Sequence, residues 1–367
     1  MISSSEDILK YINDKSFKKI FVLCGKKSFV NSGAENLLKN ISNKQIKLLY
    51  KKSEIPILEE LIEIIKDIKN FKPDLFLAIG GGAVIDYAKI ANVVDIRPNL
   101  AELIVNYTYP FKKKFTKLAV IPTTAGSGAE VTSNAVIYVD GIKHSFESEL
   151  LIPDHFFLIP EFLISAPNKI KASSGFDAIA QATESLISMK SNEKSLDYAI
   201  KSLEISLANY LNFLEQPTYE NSSKMSEAAN LAGKAINISK TTAPHAASYP
   251  FTSIYNISHG HAVSLFFENF MKFNYKNLNK SKSNFDLNKR FEIIFNLFNV
   301  NDIEDYEKKI KYIKTKSFLV DDLKKLNIDI KINLKEIMKG INLLRLGNNP
   351  VKIDEIDIRQ IIKQNEI

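Results

Sequence analysis

The chain has 367 residues, 45% hydrophobic and 25% charged, with 49 Lys and Arg against 42 Asp and Glu and a net charge of +7. This is an ordinary globular composition, and the length suits two domains. No run of about 18 apolar residues predicts a membrane span, and the N-terminus lacks the charged-then-apolar order of a secretory signal. A single cysteine, Cys24, excludes an internal disulfide framework and fits a cytoplasmic setting. The basic excess is scattered Lys in KKSEIP, FKKKFTK and DYEKKIKYIKTKS, read as solvated surface. With no concentrated basic stripe and no recognition motif, nucleic acid is not an expected partner.

In chain order, KKIFVLCG (18–25) is an apolar, β-branched run ending in Gly and predicts a buried strand. A helix is expected over about 33–40 and a second strand over IKLLY (46–50). Residues 57–71 place Ile57, Leu58, Leu61, Ile62, Ile64, Ile65 and Ile68 at helical spacing. Leu75 to Ile79 is a third strand, a helix follows over 84–94, and 118–122 is a fourth strand. Such alternation predicts an open parallel sheet covered on both faces, which binds ligands at the carboxyl ends of its strands. A hairpin is expected over 133–146 and a short strand near 155–159. Beyond Pro160 the pattern is helical throughout, including a helix over 221–238 and surface helices within 275–335. The expected division is therefore an α/β domain, 1–160, and an all-helical domain, 161–367, with a cleft between them.

Two loops follow sheet strands. LAIGGGAVIDYAK (77–89) sets Gly80, Gly81 and Gly82 before a helix, where the backbone can approach a pyrophosphate and the first amides attract anions. IPTTAGSGAEVT (121–132) offers the hydroxyls of Thr123, Thr124 and Ser127 between small residues. Neither matches GxGxxG or the P-loop pattern, and a Gly triplet alone also suits a plain turn. Two such loops after consecutive strands favour a nucleotide site.

The helical half concentrates three of the chain's five His, His245, His259 and His261, within 17 positions. Imidazole nitrogen is a good ligand for Zn or Fe. A turn signal from Pro250 to Ser258 is expected to fold two helix ends together and bring His245 near His259; ordinary packed histidines fit the same sequence. Upstream, Asp177 and Gln181 are four apart on one helix face. Asp177 is a possible ligand or a dipole-favoured residue of a helix start.

GGGAVIDYAK, IPTTAGSGAEVT, GFDAIAQATES and HAASYPFTSIYNISHGHA, in that order, resemble the iron-containing (group III) alcohol dehydrogenase family over roughly residues 15 to 270, with a weaker echo in RLGNNPVK (345–352). The resemblance implies a Rossmann-like, dehydroquinate-synthase-like α/β domain followed by a helical domain. It also implies NADPH or NADH as cofactor and a divalent metal, Fe2+ or Zn2+. By that likeness Gly80, Gly81 and Gly82 hold the pyrophosphate, Asp86, Thr123, Thr124 and Ser127 join the cofactor site, and Asp177, His245 and His259 ligate the metal.

Several positions depart from the family pattern. Gln181 stands where the second ligand is usually His, and an amide oxygen is a weaker donor. Tyr249 replaces a His four after the third ligand, and Ala83 replaces the Ser that follows the Gly triplet. Gly25-Lys26-Lys27 stands where an acidic residue usually receives the adenosine ribose, so Lys26 is expected to attract a 2′-phosphate. The Gln181 variant is most similar to the phosphonoacetaldehyde reductase branch, which makes 2-hydroxyethylphosphonate. Arg345, one of only four Arg, lies in the uncharged run INLLRLGNNPV and is the candidate anion clamp, with Lys240 a second. His261 or Tyr249 is the expected proton relay. Other readings are a general short-chain alcohol dehydrogenase, a dehydroquinate-synthase-like lyase, or a non-catalytic binder. A homo-oligomer, a dimer, is the expected assembly.

Overall fold

The computed structural model describes residues 2–15 and 17–363. The chain divides into two compact units, Met1–Pro167 with Pro217–Asn230, and Asn168–Gln216 with Leu231–Ile367.

The first unit is built on a five-stranded parallel sheet. Its strands are β1 (Lys19–Gly25), β2 (Gln45–Lys51), β3 (Leu75–Gly80), β4 (Lys117–Pro122) and, past a hairpin, β7 (His155–Phe156), in the order β2-β1-β3-β4-β7. The hairpin pairs β5 (Asn134–Val139) with β6 (Ile142–Glu147). Its turn takes positive φ at Asp140 and Gly141, the Asp-Gly pattern of a tight hairpin. Helices α1 (Ser5–Asp14), α2 (Lys26–Asn31), α3 (Ala34–Lys39), α4 (Leu58–Phe71), α5 (Gly82–Ala91), α6 (Leu100–Val105) and α7 (Glu161–Ile164) complete the N-terminal run.

Strand alternation sorts the core onto two faces. Ile20, Val22 and Cys24 of β1, with Leu75, Leu77 and Ile79 of β3, pack with Ile8 and Ile12 of α1 and Phe29 of α2. Phe21, Leu23, Phe76 and Ala78 face the α4 and α5 side with Leu61, Ile65 and Ile85. Burial on both faces explains why these strands read as unbroken apolar runs. Cys24 is fully buried, which pushes its thiol up to about 12.

The second unit is helical: α8 (Asn168–Ile187), α9 (Glu193–Glu215), the C-terminal part of α10 (Tyr219–Ser239), α11 (Ala243–Tyr255), α12 (His259–Ser264) and α13 (Phe267–Lys276). It continues through α14 (Leu287–Phe298), α15 (Ile303–Lys316), α16 (Ile330–Gly340), α17 (Leu343–Leu346) and α18 (Glu355–Lys363). α8 is buried along most of its length, which suits its Ala-rich, weakly amphipathic sequence. Among the described residues no helix is long and apolar enough to cross a membrane.

Locally, one expected helix is present, two helices were not foreseen, and one turn is corrected. The helix expected over 33–40 is α3 (Ala34–Lys39), and a further short helix that was not expected, α2, precedes it, with Gly33 between them at φ +75°. The N-terminal helix α1 was not expected, although Ser4 and Asp7 form a reciprocal capping box. The turn expected to start at Pro250 begins instead at Asn256, which ends α11 with φ +52°. Pro250 lies inside α11; its missing N–H would have served the Ala246 carbonyl, and that carbonyl accepts from the Asn342 amide at 3.3 Å.

Candidate metal and cofactor sites

In the first unit, the strand order changes direction between β1 and β3, the switch point where open sheets bind ligands. Gly80, Gly81 and Gly82 leave β3 and start α5, whose N-cap is Gly81 without a side-chain cap. The Thr123 amide donates to the Gly80 carbonyl at 3.0 Å, joining the two loops. A Cβ on Gly82 would lie 3.0 Å from Ser127 Oγ, and one on Gly81 3.4 Å from Thr124 Oγ1. Both hydroxyl side chains therefore stand against the glycines, and the first amides of α5 are the uncapped donors there. Lys26 and Lys27 are exposed at the carboxyl end of β1.

Asp86, expected at the cofactor site, lies on α5 and is bonded from the Val136 backbone of the hairpin. Burial pushes its carboxyl up to about 6, against the Lys89 charge and a bond from the Val136 backbone. Lys89, which the family likeness did not single out, is fully buried. Its Nζ donates to the carbonyls of Ala129 (2.9 Å), Thr132 (2.7 Å) and Asn134 (2.6 Å) and to Thr132 Oγ1 (3.0 Å), fastening α5 to the end of the hydroxyl loop. A Lys inside the apolar run AVIDYAKIAN was the available signal.

In the second unit, α8 carries Asp177, Gln181 and Glu184 at i, i+4 and i+7 on one face. α11 starts with Pro244 in its first turn and presents His245 and then Tyr249 one turn later. His259 opens α12, and Gly260 permits the approach of that helix to α8. A Cβ on Gly260 would sit 1.9 Å from the Ser173 carbonyl oxygen and 2.8 Å from Asp177 Cβ. The His261 amide donates to Ser173 Oγ at 3.1 Å, fixing the same contact.

Asp177, His245 and His259 offer one carboxylate and two imidazole donors within 4.8 Å of one another. His245 Nε2 is 3.1 Å from Asp177 Oδ1. Adjacent ligands of a tetrahedral ion bound at about 2.0–2.1 Å lie roughly 3.4 Å apart, so the spacing suits Zn or Fe. Gln181 Nε2 donates to Asp177 Oδ2 at 3.0 Å, and Gln181 Oε1 is buried with no hydrogen-bond partner among the described residues. A buried acceptor left over beside the carboxylate is what a cation site would use. On donor chemistry, spacing and this orphaned oxygen, the residues fit a divalent metal.

Glu184, absent from the ligand set that the sequence motifs suggest, is fully buried and bonded to His245 Nδ1 through Oε1. Its Oε2 accepts from the Thr242 amide at 2.7 Å and from Thr242 Oγ1 at 2.8 Å. Burial opposes a charge on His245, but Glu184 and Asp177 outweigh it and raise the imidazole to about 9. The i+7 spacing from Asp177 was the one sequence signal for Glu184.

Tyr249 stacks obliquely on His259, ring centroids 5.8 Å apart. Burial raises its phenol, opposed by the Arg345 guanidinium, which hydrogen-bonds the phenol oxygen. Arg345 is thus brought beside the cluster from α17, whose start is capped by Asn342 Oδ1 accepting from the Arg345 amide at 2.9 Å. Lys240 Nζ is committed to the Asn237 carbonyl at 3.1 Å, closing α10. His261 bonds the Val320 carbonyl through Nε2 at 2.6 Å, and burial lowers its pKa. Of the two proton-relay candidates, Tyr249 is therefore the one in ring contact with His259.

Two family models match the chain: "Iron-containing alcohol dehydrogenase" over residues 3–160 and "Fe-containing alcohol dehydrogenase family, C-terminal" over 171–365. The chain belongs to the iron-containing alcohol dehydrogenase family. Among curated relatives it is 32% identical to the 4-hydroxybutyrate dehydrogenase of Clostridium kluyveri, over 60% of each chain. It is 28% identical to a 1-propanol dehydrogenase of Citrobacter freundii, over 60% of this chain and 56% of that one. The chain thus spans less than two thirds of the length of either relative. Among solved structures, sulfoacetaldehyde reductase from Bifidobacterium kashiwanohense in complex with NAD+ aligns with a TM-score of 0.87 at 24% identity, covering 99% of this chain and 95% of that one. An iron-containing alcohol dehydrogenase from Thermococcus thioreducens aligns at 0.86 and 22% identity, covering 100% and 96%. These likenesses establish the shared fold.

The packing makes two variants informative. Gly260→Ala forces α12 away from α8 and is expected to cost about 1–3 kcal/mol, read by thermal unfolding, with a loss of bound metal in parallel. Gln181→Ala is expected to lower metal affinity less than Asp177→Ala, because an amide oxygen is the poorer donor; titration of the metal-free proteins with Zn2+ decides, and equal losses would contradict the ranking.

Proposed function

We propose that the chain catalyses NAD(P)H-linked reduction of a small aldehyde bearing an anionic group, with a divalent metal held by Asp177, His245 and His259. The first candidate reaction is phosphonoacetaldehyde to 2-hydroxyethylphosphonate. In this reading residues 1–160 bind the dinucleotide and residues 161–367 bind metal and substrate. The observation that supports an anionic substrate is Arg345, a guanidinium bonded to Tyr249, whose ring lies against His259. A guanidinium has five N–H donors, more than one phenol oxygen can use, and the remainder suit a bidentate grip on phosphonate or carboxylate oxygens. The relative named for 4-hydroxybutyrate, an alcohol with a carboxylate, makes that second anion class worth testing.

When bound, the divalent ion would supply Lewis-acid polarisation of the carbonyl and the reduced nicotinamide the hydride. The chain's own residues bind, orient and supply the proton. Asp177, His245 and Tyr249 are buried, so the reacting oxygen would be shielded from bulk water. Arg345 donates to the phenol oxygen of Tyr249, which leaves the phenol O–H as the group to protonate a nascent alkoxide beside His259. Glycines 80–82 and the first amides of α5 would receive the pyrophosphate, with Thr123, Thr124 and Ser127 lining it. Net consumption of NAD(P)H during turnover separates this reading from an internally cycling lyase.

Arg345→Ala is expected to raise KM for phosphonoacetaldehyde about tenfold or more, one charge-assisted hydrogen bond being about 1.5–3 kcal/mol. An uncharged short aldehyde should be reduced with an unchanged KM. Equal loss on both aldehydes would make Arg345 structural, and a wild type that favours a carboxylate semialdehyde would move the substrate to that class.

The exposed Lys26, at the end of β1 where an acid would repel a 2′-phosphate, supports NADPH as the preferred cofactor. Comparison of kcat/KM for the two cofactors checks this, and Lys26→Asp should shift the ratio toward NADH. A wild type with much higher kcat/KM for NADH would refute it.

A further inference from the structure

We infer that Glu184 is a positioning residue for His245: it takes the Nδ1 side of the imidazole, so that Nε2 faces Asp177 as the metal-binding nitrogen. This rests on the metal-site reading above. The carboxylate has no exposure to water, and its two oxygens serve different partners. Oε1 bonds His245 Nδ1, and Oε2 accepts both the amide and the hydroxyl of Thr242. Three bonds from donors leave the carboxylate no reason to swing toward the ligand cluster. With Nδ1 held by Glu184, Nε2 is the nitrogen that faces Asp177 Oδ1, at 3.1 Å, and is the one a bound ion would take in place of a proton. A carboxylate behind an imidazole also makes the ligating nitrogen more basic.

The brace extends to a motif that the metal cluster does not use. Thr242 follows a segment in which Lys240 takes φ +61°. Asn348, of the LGNNP turn, holds that segment: its Nδ2 donates to the Ser239 carbonyl at 2.8 Å, the Thr241 carbonyl at 3.0 Å and Ser188 Oγ at 2.7 Å. The Met189 amide returns a bond to the Asn348 carbonyl at 3.0 Å. The order of support is Asn348 to the 239–241 backbone, Thr242 to Glu184, and Glu184 to His245.

The test is metal affinity rather than turnover. Metal-stripped wild type, Asp177→Ala, Glu184→Gln and Thr242→Val are titrated with Zn2+ against a competing chelator, and with Co2+ for its visible absorption. Thermal unfolding of each metal-free protein is measured alongside. Glu184→Gln should weaken binding about 10–100-fold and alter the Co2+ spectrum. Thr242→Val, which keeps the amide donor and removes the hydroxyl, should weaken it about two- to tenfold. A merely structural role would lower the melting temperature and leave the folded protein's affinity and spectrum unchanged, which would overturn the inference. Wild-type affinity in Glu184→Gln with loss in Asp177→Ala would overturn it while the metal site stands. A wild type without affinity, or one indifferent to Asp177→Ala, would remove the site reading and this inference together. If Glu184→Gln fails to fold, Thr242→Val decides, and unchanged affinity there overturns the proposal.

Discussion

A carboxylate sealed from water organises the polar centre of the helical unit. Burying Glu184 as an anion is costly unless each oxygen is bonded, and the structure meets that demand with His245 and with both donors of Thr242. Those bonds reach across the chain, from α8 to the first turn of α11 and the residue before it. Satisfying one carboxylate therefore docks the helix that carries His245 against the helix that carries Asp177. Gly260 completes the arrangement by letting α12 bring His259 against the same helix. The site's shape follows from polar satisfaction and one missing methyl group more than from local helix propensity.

The first unit solves a similar problem with the opposite charge. Lys89 is buried on α5, and its ammonium is surrounded by oxygens of the segment 129–134. A buried ammonium needs such acceptors, and they come from the far side of the hydroxyl loop. The glycine loop and the hydroxyl loop are thereby fixed relative to one another, by Lys89 at one end and by the bond from the Thr123 amide to the Gly80 carbonyl at the other. Asp86, on the same helix, is bonded from the Val136 backbone of the hairpin.

The side chains expected to bind an anion or relay a proton differ in what they are committed to. Lys240 closes α10 on a carbonyl, and His261 ties α12 to the turn at Val320. Arg345 reaches Tyr249, inside the neighbourhood of His259. The phenol oxygen that meets this guanidinium comes from Tyr249, one of the positions that depart from the family pattern.

Period and punctuation in the sequence determined the parallel sheet, its two loops and the helical second half. Apolar runs ending in Gly, as in β1 and β3, suit strands buried on both faces of a sheet, and ordered motifs singled out Asp177, His245 and His259 before any geometry. Other features depended on partners far away in the chain. Pro250 reads as a turn because its N–H is missing, yet it stays helical since the Asn342 amide serves the carbonyl it leaves vacant. Glu184 and Lys89 look like helix-surface charges until folding removes water from them and supplies His245, Thr242 and the 129–134 oxygens. Arg345 lies in an uncharged stretch that indicates something unusual, but only tertiary packing brings it to Tyr249. Local patterns fix elements because they depend on neighbours a few residues away; the bonds that tune a buried charge depend on residues that only the folded chain brings into contact.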